Sequence, residues 1–359
     1  MSDNKLIILK NMVKHFPVKA GGFASSKEYV HAVNNVSFTL ARKQTLGLVG
    51  ESGCGKTTTA RTILKVLEPD GGRLYFNQSD EKIKQLDEIE QLWQKQTGPK
   101  KNKDLKRQFL ELKKETDFFS YPRKKFRQEQ LKMRYIFQDP YLSLNPKMHV
   151  NDIITESLIE NKLISRKDKN KTAKKYLDIV GISGNALFKF PHEFSGGQRQ
   201  RINIARAIAS NPDFIICDEP VSSLDVSIQS QVLNLLIQIQ KELNISFLFI
   251  AHNLAVVFYM SDYVAVMYTG KIVEYAPSRE LYENPLHPYT KLLMSVVPEL
   301  GKKKNIFDIK IKSEVPSLIN LPKGCTFYNR CPIREDICLS EFPHLDCKVP
   351  GHFCACYEV

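Results

Sequence analysis

Apolar and polar positions alternate in Lys5 to Lys10 and again in Val30 to Leu40, so the chain is expected to open with two strands paired as an antiparallel hairpin. The unbroken apolar run Thr45 to Val49 predicts a buried strand, and helical spacing follows from Lys56 to Leu67. Pro69-Asp70-Gly71-Gly72 reads as a turn and Arg73 to Phe76 as a short strand. From about Gln78 to Gln130 the chain turns rich in Lys, Glu, Gln and Leu. Ile83, Leu86, Ile89 and Trp93 fall at helical spacing, and Leu105, Phe109 and Leu112 repeat it beyond a break at Thr97-Gly98-Pro99. The expectation is a projecting pair of helices, read either as a partner-docking arm or as a surface insertion without chemistry. Further on, Met133 to Phe137 is apolar, Val150 to Val180 is helical with Lys169 to Val180 its clearest part, and Arg199 to Ala209 places Ile202, Ala205, Ile208 and Ala209 on one face. Phe214 to Cys217 and Ile245 to Ile250 predict buried strands on either side of a helix from Ile228 to Leu243.

Length and charge narrow the picture only a little. A chain of 359 residues holds one large core with an appendage, or two ordinary domains. The formal charge of +13 is compatible with nucleic acid or an anionic membrane surface, but the Lys and Arg are scattered among 39 acidic residues. A solvated basic surface, with no nucleic acid bound, is the expectation. Runs such as Ile245 to Ala251 and Tyr263 to Tyr268 fall far short of the ~18 residues of a membrane span, and the amino terminus shows no long apolar stretch. The chain is therefore expected in the cytoplasm. Six of its eight Cys lie between Cys325 and Cys356, a crowding that in a reducing compartment suggests metal or cluster binding more than disulfides.

The chemistry centres on Gly50-Glu51-Ser52-Gly53-Cys54-Gly55-Lys56-Thr57, followed by Thr58, which fits the phosphate-loop pattern G-x-x-x-x-G-K-[ST] between a strand and a helix. Its glycines let the backbone turn tightly and aim several N–H groups at phosphates seated on the positive end of the helix. Lys56 supplies a point charge to the β- and γ-phosphates, and the Thr57 hydroxyl is placed to ligate Mg²⁺. An aromatic ring in Lys14-His15-Phe16-Pro17 is suited to stacking on a purine, as are Tyr29 and Phe23, and a core role suits any of them equally. Gln138, in the loop Gln138-Asp139-Pro140, can offer its amide oxygen to Mg²⁺ and to an attacking water. Phe194-Ser195-Gly196-Gly197-Gln198 leads straight into a helix and forms a second anion site. One triphosphate does not need two such sites, so the second is expected to cap a nucleotide held by another subunit. Asp218 and Glu219 end an apolar strand, where the first can hold Mg²⁺ through its water shell and the second can take a proton from the hydrolytic water. Ser223-Leu224-Asp225 follows at once, and His252 stands just past a strand, either as a surface residue or as a sensor of the γ-phosphate.

In that order these motifs resemble the ATPase subunit of an ABC transporter, over nearly the whole chain. Phe137-Gln138-Asp139-Pro140 with Ser143-Leu144-Asn145-Pro146, Glu193 to Arg201, and Asn284-Pro285-Leu286-His287-Pro288-Tyr289-Thr290 are similar to the oligopeptide and dipeptide importer branch. Lys14-His15-Phe16-Pro17 and the short segment to Val33 look like its F-type subunit. Phe194 stands where many ABC ATPases have Leu, as is usual in this branch, and the insertion at about 78–130 is longer than the family's. The resemblance implies an α/β fold with a RecA-like parallel sheet, an antiparallel β-subdomain and a helical subdomain carrying the signature. It implies an ATPase domain over 1–275 and a transporter C-terminal region with a Cys-rich tail over 276–359. Phe16 is implied as the base-stacking residue, Glu219 as catalytic base and His252 as the switch. ATP and Mg²⁺ are the implied ligands, sandwiched between two subunits paired head to tail. The implied partners are a D-type ATPase, two integral membrane permease subunits and, through them, an extracytoplasmic peptide-binding protein, which places the chain at the cytoplasmic face of the membrane. A nickel importer subunit is the nearest rival; an ABC ATPase that moves no substrate is a more distant one.

Four thiolates in a compact segment can hold Zn²⁺ or an iron–sulfur cluster, but Cys325 and Cys331 are spaced too widely for the close pairs usual in structural zinc sites. The tail resembles that of peptide-importer ATPases, some of which hold a [4Fe–4S] cluster. The corresponding residues are Cys325, Cys331, Cys338 and Cys356, with Cys347 and Cys354 left over. The resemblance implies a cluster that ties down the tail without entering ATP hydrolysis; free thiols are the alternative.

Overall fold

A computed structural model describes residues 4–18, 28–95, 103–295 and 316–359. Phe23 and the break at Thr97-Gly98-Pro99 lie outside the described residues. The strands in chain order are β1 (Lys5–Pro17), β2 (Tyr29–Ala41), β3 (Thr45–Val49), β4 (Gly71–Phe76), β5 (Met133–Ile136), β6 (Phe214–Asp218), β7 (Ser246–Ile250), β8 (Tyr263–Tyr268), β9 (Lys271–Pro277), β10 (Asp346–Val349) and β11 (His352–Cys354). Contacts divide the chain into one unit of Met1–Arg42, Leu48–Arg127 and Asp262–Val359, and a second of Lys43–Gly47 and Gln128–Ser261.

In the first unit, β1 and β2 form the expected antiparallel hairpin, with Ile8 opposite Thr39, and β4 joins the far edge of β1 with Tyr75 opposite Ile8. β1 runs on past Lys10 to Pro17 because β2 keeps pace, Pro17 facing Tyr29. The helix after the phosphate loop spans Lys56–Ile63, shorter than its apolar pattern suggests. Lys65 takes a positive φ of 55°, and the N–H groups of Val66 and Leu67 both turn back to the Arg61 carbonyl, a left-handed helix stop.

The inserted helices are present, as Asp80–Gln94 and Lys103–Thr116, with Trp93 and Phe109 stacked at 5.5 Å between ring centroids. They do not project freely. Ile83, Leu86 and Phe109 are buried with Tyr75 of β4, and Ile8, Ile89, Trp93 and Leu112 pack against that cluster. Ion pairs fasten the first helix to the sheet: Lys5 to Asp80 at 3.0 Å, Lys10 to Asp87 at 2.7 Å, and Arg73 to both Asp87 and Glu90. Buried Asp117, just past the second helix, accepts the Leu74 N–H at 3.1 Å and the Ser120 hydroxyl at 2.8 Å. The hydrophobic stripe of the expected projecting pair is thus the seam to the sheet.

The same unit holds the C-terminal region. Here β8, β9, β11 and β10 are antiparallel neighbours, and Glu274 of β9 is fully buried. Its carboxylate accepts the N–H groups of Leu286 at 2.8 Å and His287 at 2.9 Å and meets His352 Nε2 at 2.6 Å. A buried carboxylate is tolerated only with such a complement of donors. Phe327 packs on Tyr268 and Tyr289, at 5.4 and 5.6 Å between centroids.

In the second unit, β5, β6 and β7 are parallel, Phe214 lying between Met133 and Ser246, and the strand order is β7-β6-β5. Every residue of β6 and β7 is buried, as near-continuous apolar strands covered on both faces require. The helices Val150–Glu160, Lys169–Ile179, Gly196–Ile208 and Val226–Leu243 follow the predicted periodicity, with ends displaced by a few residues.

Candidate functional site

The phosphate loop belongs to the first unit. Gly50 and Gly55 take φ of 152° and 108°, and a Cβ at either would stand 2.1 Å from a backbone oxygen, that of Met267 or Ala32. Both must be glycine for this loop to close. Lys56 is nearly buried, and its Nζ donates to the carbonyls of Gly50 at 2.8 Å and Glu51 at 2.9 Å, with Cys54 Sγ at 3.6 Å. Burial raises the Cys54 thiol pKa, so it stays protonated and inert. Ser52 and Gly53 are exposed at the loop tip, and Thr57 and Thr58 lie in the first turn of the helix. Phe16, in the last turns of the β1 ladder, is half-buried with Lys14 Nζ 5.4 Å from its ring centre; Tyr29 is the more exposed of the two aromatics there.

Gln138, Glu219 and His252 come together in the second unit. Gln138 Nε2 donates to Glu219 Oε2 at 2.9 Å, and His252 Nδ1 stands 3.4 Å from the same oxygen. Glu219 has a φ of +47°, rare for a residue with a side chain, while its N–H is held by the Ile250 carbonyl at 2.8 Å. Asp218, buried at the end of β6, accepts a hydrogen bond from the Tyr135 hydroxyl.

Ser195 caps the helix Gly196–Ile208. Its Oγ accepts the Gln198 N–H at 3.4 Å while Gln198 Oε1 accepts the Ser195 N–H at 3.1 Å, a reciprocal capping box. The amides of Gly196 and Gly197, one and two positions into the helix, have no acceptor within it. A Cβ on Gly197 would meet Ile228 at 2.5 Å, and one on Gly196 would touch Leu224. The glycines thus let the signature press against Ser223-Leu224-Asp225 and the helix behind it. Gln200 Nε2 ties the same helix to the Pro220 carbonyl at 2.7 Å, and Gln229 Nε2 holds the carbonyls of Val221 and Leu224 at 3.0 Å.

Cys325, Cys331, Cys338 and Cys356 line one cavity in the first unit, with Phe327 and His287. Cys347 is exposed and Cys354 is buried in β11; neither lines the cavity. Burial and the neighbouring thiols push Cys325 up to about 11. Among the described residues no three of His, Cys, Asp and Glu are grouped to hold a metal ion, so the structure lends the expected cluster no support.

Three contacts were not foreseen from the sequence. Besides Tyr135 on Asp218, the Glu51 N–H donates to Tyr289 Oη at 2.7 Å, and the Glu51 carboxylate is gripped by both terminal nitrogens of Arg330, each at 2.8 Å. Tyr289 sits in the Asn284 to Thr290 motif and Arg330 directly precedes Cys331, so each lay beside a recognised signal.

Comparison with known proteins accords with this architecture. The family model "ABC transporter" matches residues 33–222, and "Oligopeptide/dipeptide transporter, C-terminal region" matches 273–338. The oligopeptide transport ATP-binding protein AppF of Bacillus subtilis is 41% identical over 99% of this chain and 98% of its own length. The dipeptide transport ATP-binding protein DppF of Haemophilus influenzae is 39% identical over 96% of this chain and 94% of its own. Among solved structures, cbiO1 from Clostridium perfringens superposes with a TM-score of 0.57 at 21% identity, covering 78% of this chain and 92% of that one. The dimeric bacterial ABC transporter cassette MJ0796 gives 0.58 at 21% identity, covering 76% and 99%. With a phosphate loop, a capped serine-glycine helix and a Gln–Glu–His cluster on such a fold, the chain belongs to the ABC transporter family.

Proposed function

We propose that this chain is the ATP-hydrolysing subunit that powers uptake of oligopeptides or dipeptides through a membrane ABC transporter. The observation that carries the catalytic reading is the Glu219 carboxylate, turned out of β6 by its left-handed backbone and met by Gln138 and His252. Glu219 takes the proton of the water that attacks the γ-phosphorus, ADP leaves, and His252 and Gln138 orient the carboxylate and the water. Lys56 and the loop amides from Gly50 to Thr58 bind the phosphates, and Phe16 stacks on the base. Thr57, Asp218 and Gln138 are the residues that would hold Mg²⁺; their hydroxyl, carboxylate and amide oxygens are the hard donors this ion takes. Bound Mg²⁺ supplies neutralisation of phosphate charge. Ser195, Gly196, Gly197 and Gln198, with Ser223-Leu224-Asp225, act on the nucleotide of a second ATPase subunit.

No helix among the described residues is long and apolar enough to cross a membrane. On the proposed reading the chain sits at the cytoplasmic face, held there by two permease subunits and fed by an extracytoplasmic binding protein. The similarity to AppF and DppF over nearly their full lengths favours peptides as cargo. Purification from native membranes tests this: permeases and a binding protein should accompany the chain, and peptides should stimulate the ATPase of the reconstituted complex. Stimulation by Ni²⁺ and not by peptides would overturn the cargo.

A second reading concerns the tail. Cys325, Cys331, Cys338 and Cys356 line one cavity, thiolate is the donor type a [4Fe–4S] cluster takes, and the two leftover cysteines are set apart from it. Cys325, Cys331, Cys338 and Cys356 would hold it, and its contribution would be cross-linking of a loop-rich segment. Anaerobically purified protein should contain about four iron per chain. Stoichiometric zinc without iron, or iron fully retained after changing both Cys325 and Cys331 to Ser, would defeat the assignment.

A further inference from the structure

Glu51 puts a negative charge into a loop whose other groups all favour anions. Lys56 and the backbone amides attract phosphate, whereas a carboxylate one residue past Gly50 repels it. The structure answers that charge with a single side chain from the far end of the sequence. Arg330 grips both oxygens of Glu51, Nη1 to Oε2 and Nη2 to Oε1 at 2.8 Å, in the planar fork that suits a carboxylate. The Arg330 side chain is only 4% exposed and that of Glu51 25%, so solvent screens the pair poorly. Its Nη1 also donates to Tyr268 Oη at 3.3 Å, and the turn Tyr328–Arg330 is seated through Phe327 on Tyr268 and Tyr289. Tyr289 in turn holds the Glu51 N–H, and its own N–H is fixed by His287, the residue anchored by Glu274. The first turn of the phosphate loop is therefore clamped at its backbone and its side chain by the C-terminal region.

We propose that Arg330 is a positioning residue for ATP: by pairing with Glu51 it cancels the one adverse charge of the phosphate loop and fixes the loop's entry. The tail then contributes to nucleotide affinity as well as to its own fold, and loss of order around Cys331, the next residue, weakens ATP binding. The inference rests on the nucleotide reading of the loop given above.

The test is ATP binding by the full chain and the ATP dependence of hydrolysis in the assembled transporter, for wild type, Arg330→Met, Arg330→Lys, and Glu51→Gln combined with Arg330→Met. Arg330→Met exposes the phosphates to an unpaired carboxylate, and ATP affinity should fall by about tenfold or more, as KM rather than kcat. Adding Glu51→Gln removes that charge and should recover most of the affinity, which repair of a merely unfolded tail would not do. Arg330→Lys keeps the charge without the fork, should fall between, and carries the comparison if Arg330→Met does not fold. Wild-type affinity in folded Arg330→Met, or a loss that Glu51→Gln leaves untouched, overturns the clamp. A wild-type chain that binds no ATP overturns the nucleotide reading itself, and the clamp with it.

Discussion

Glu219 illustrates what a single residue contributes. A positive φ at a side-chain-bearing residue costs on the order of 1 kcal/mol or more, and here it turns the carboxylate toward Gln138 and His252. Glu219→Gln preserves shape but cannot accept the water's proton. Turnover should fall roughly 10²- to 10⁴-fold with ATP binding intact, about 3 to 5 kcal/mol of barrier. Hydrolysis in the assembled transporter, with the partner's own sites silenced, checks this; near-normal rates would remove Glu219 from the base role. The residue scale was largely legible in the sequence, because Gly50 to Thr57, Ser195 to Gln198 and Asp218-Glu219 are contiguous motifs whose geometry is local. The Glu51–Arg330 pair was not, since 279 residues separate its members and only tertiary structure brings them together.

At the scale of elements, the inserted hairpin shows both what periodicity reveals and what it hides. Spacing of Ile83, Leu86 and Phe109 located both helices, yet it could not say that Tyr75 and Ile8 complete their core, a pairing set by β1 and β4. An arm fastened by buried apolar contacts and ion pairs acts on stability before it acts on chemistry. Leu86 is fully buried, so Leu86→Ala should cost about 2 to 5 kcal/mol of local stability while leaving the ATPase rate of the folded protein near wild type. Thermal unfolding beside a steady-state ATPase assay checks both halves. A large fall in rate with the melting transition unchanged would make the hairpin part of the mechanism.

For the molecule as a whole, family membership follows from similarity across nearly the full chain, and the peptide cargo proposed above rests on the names of the AppF and DppF relatives. A helix capped by Ser195 and a phosphate loop within one chain suit two subunits that complete each other's sites, so the isolated chain should hydrolyse ATP slowly and gain rate on pairing. What moves, in this account, is a peptide, and what moves it is hydrolysis on this chain. The most direct measurement is uptake of a labelled peptide into proteoliposomes containing the binding protein, both permeases and both ATPases, with wild-type or Glu219→Gln versions of this chain. The account predicts accumulation with ATP, none with a non-hydrolysable analogue, and a collapse of uptake in the variant despite retained ATP binding. Undiminished accumulation with Glu219→Gln, or uptake sustained by the analogue, would contradict it.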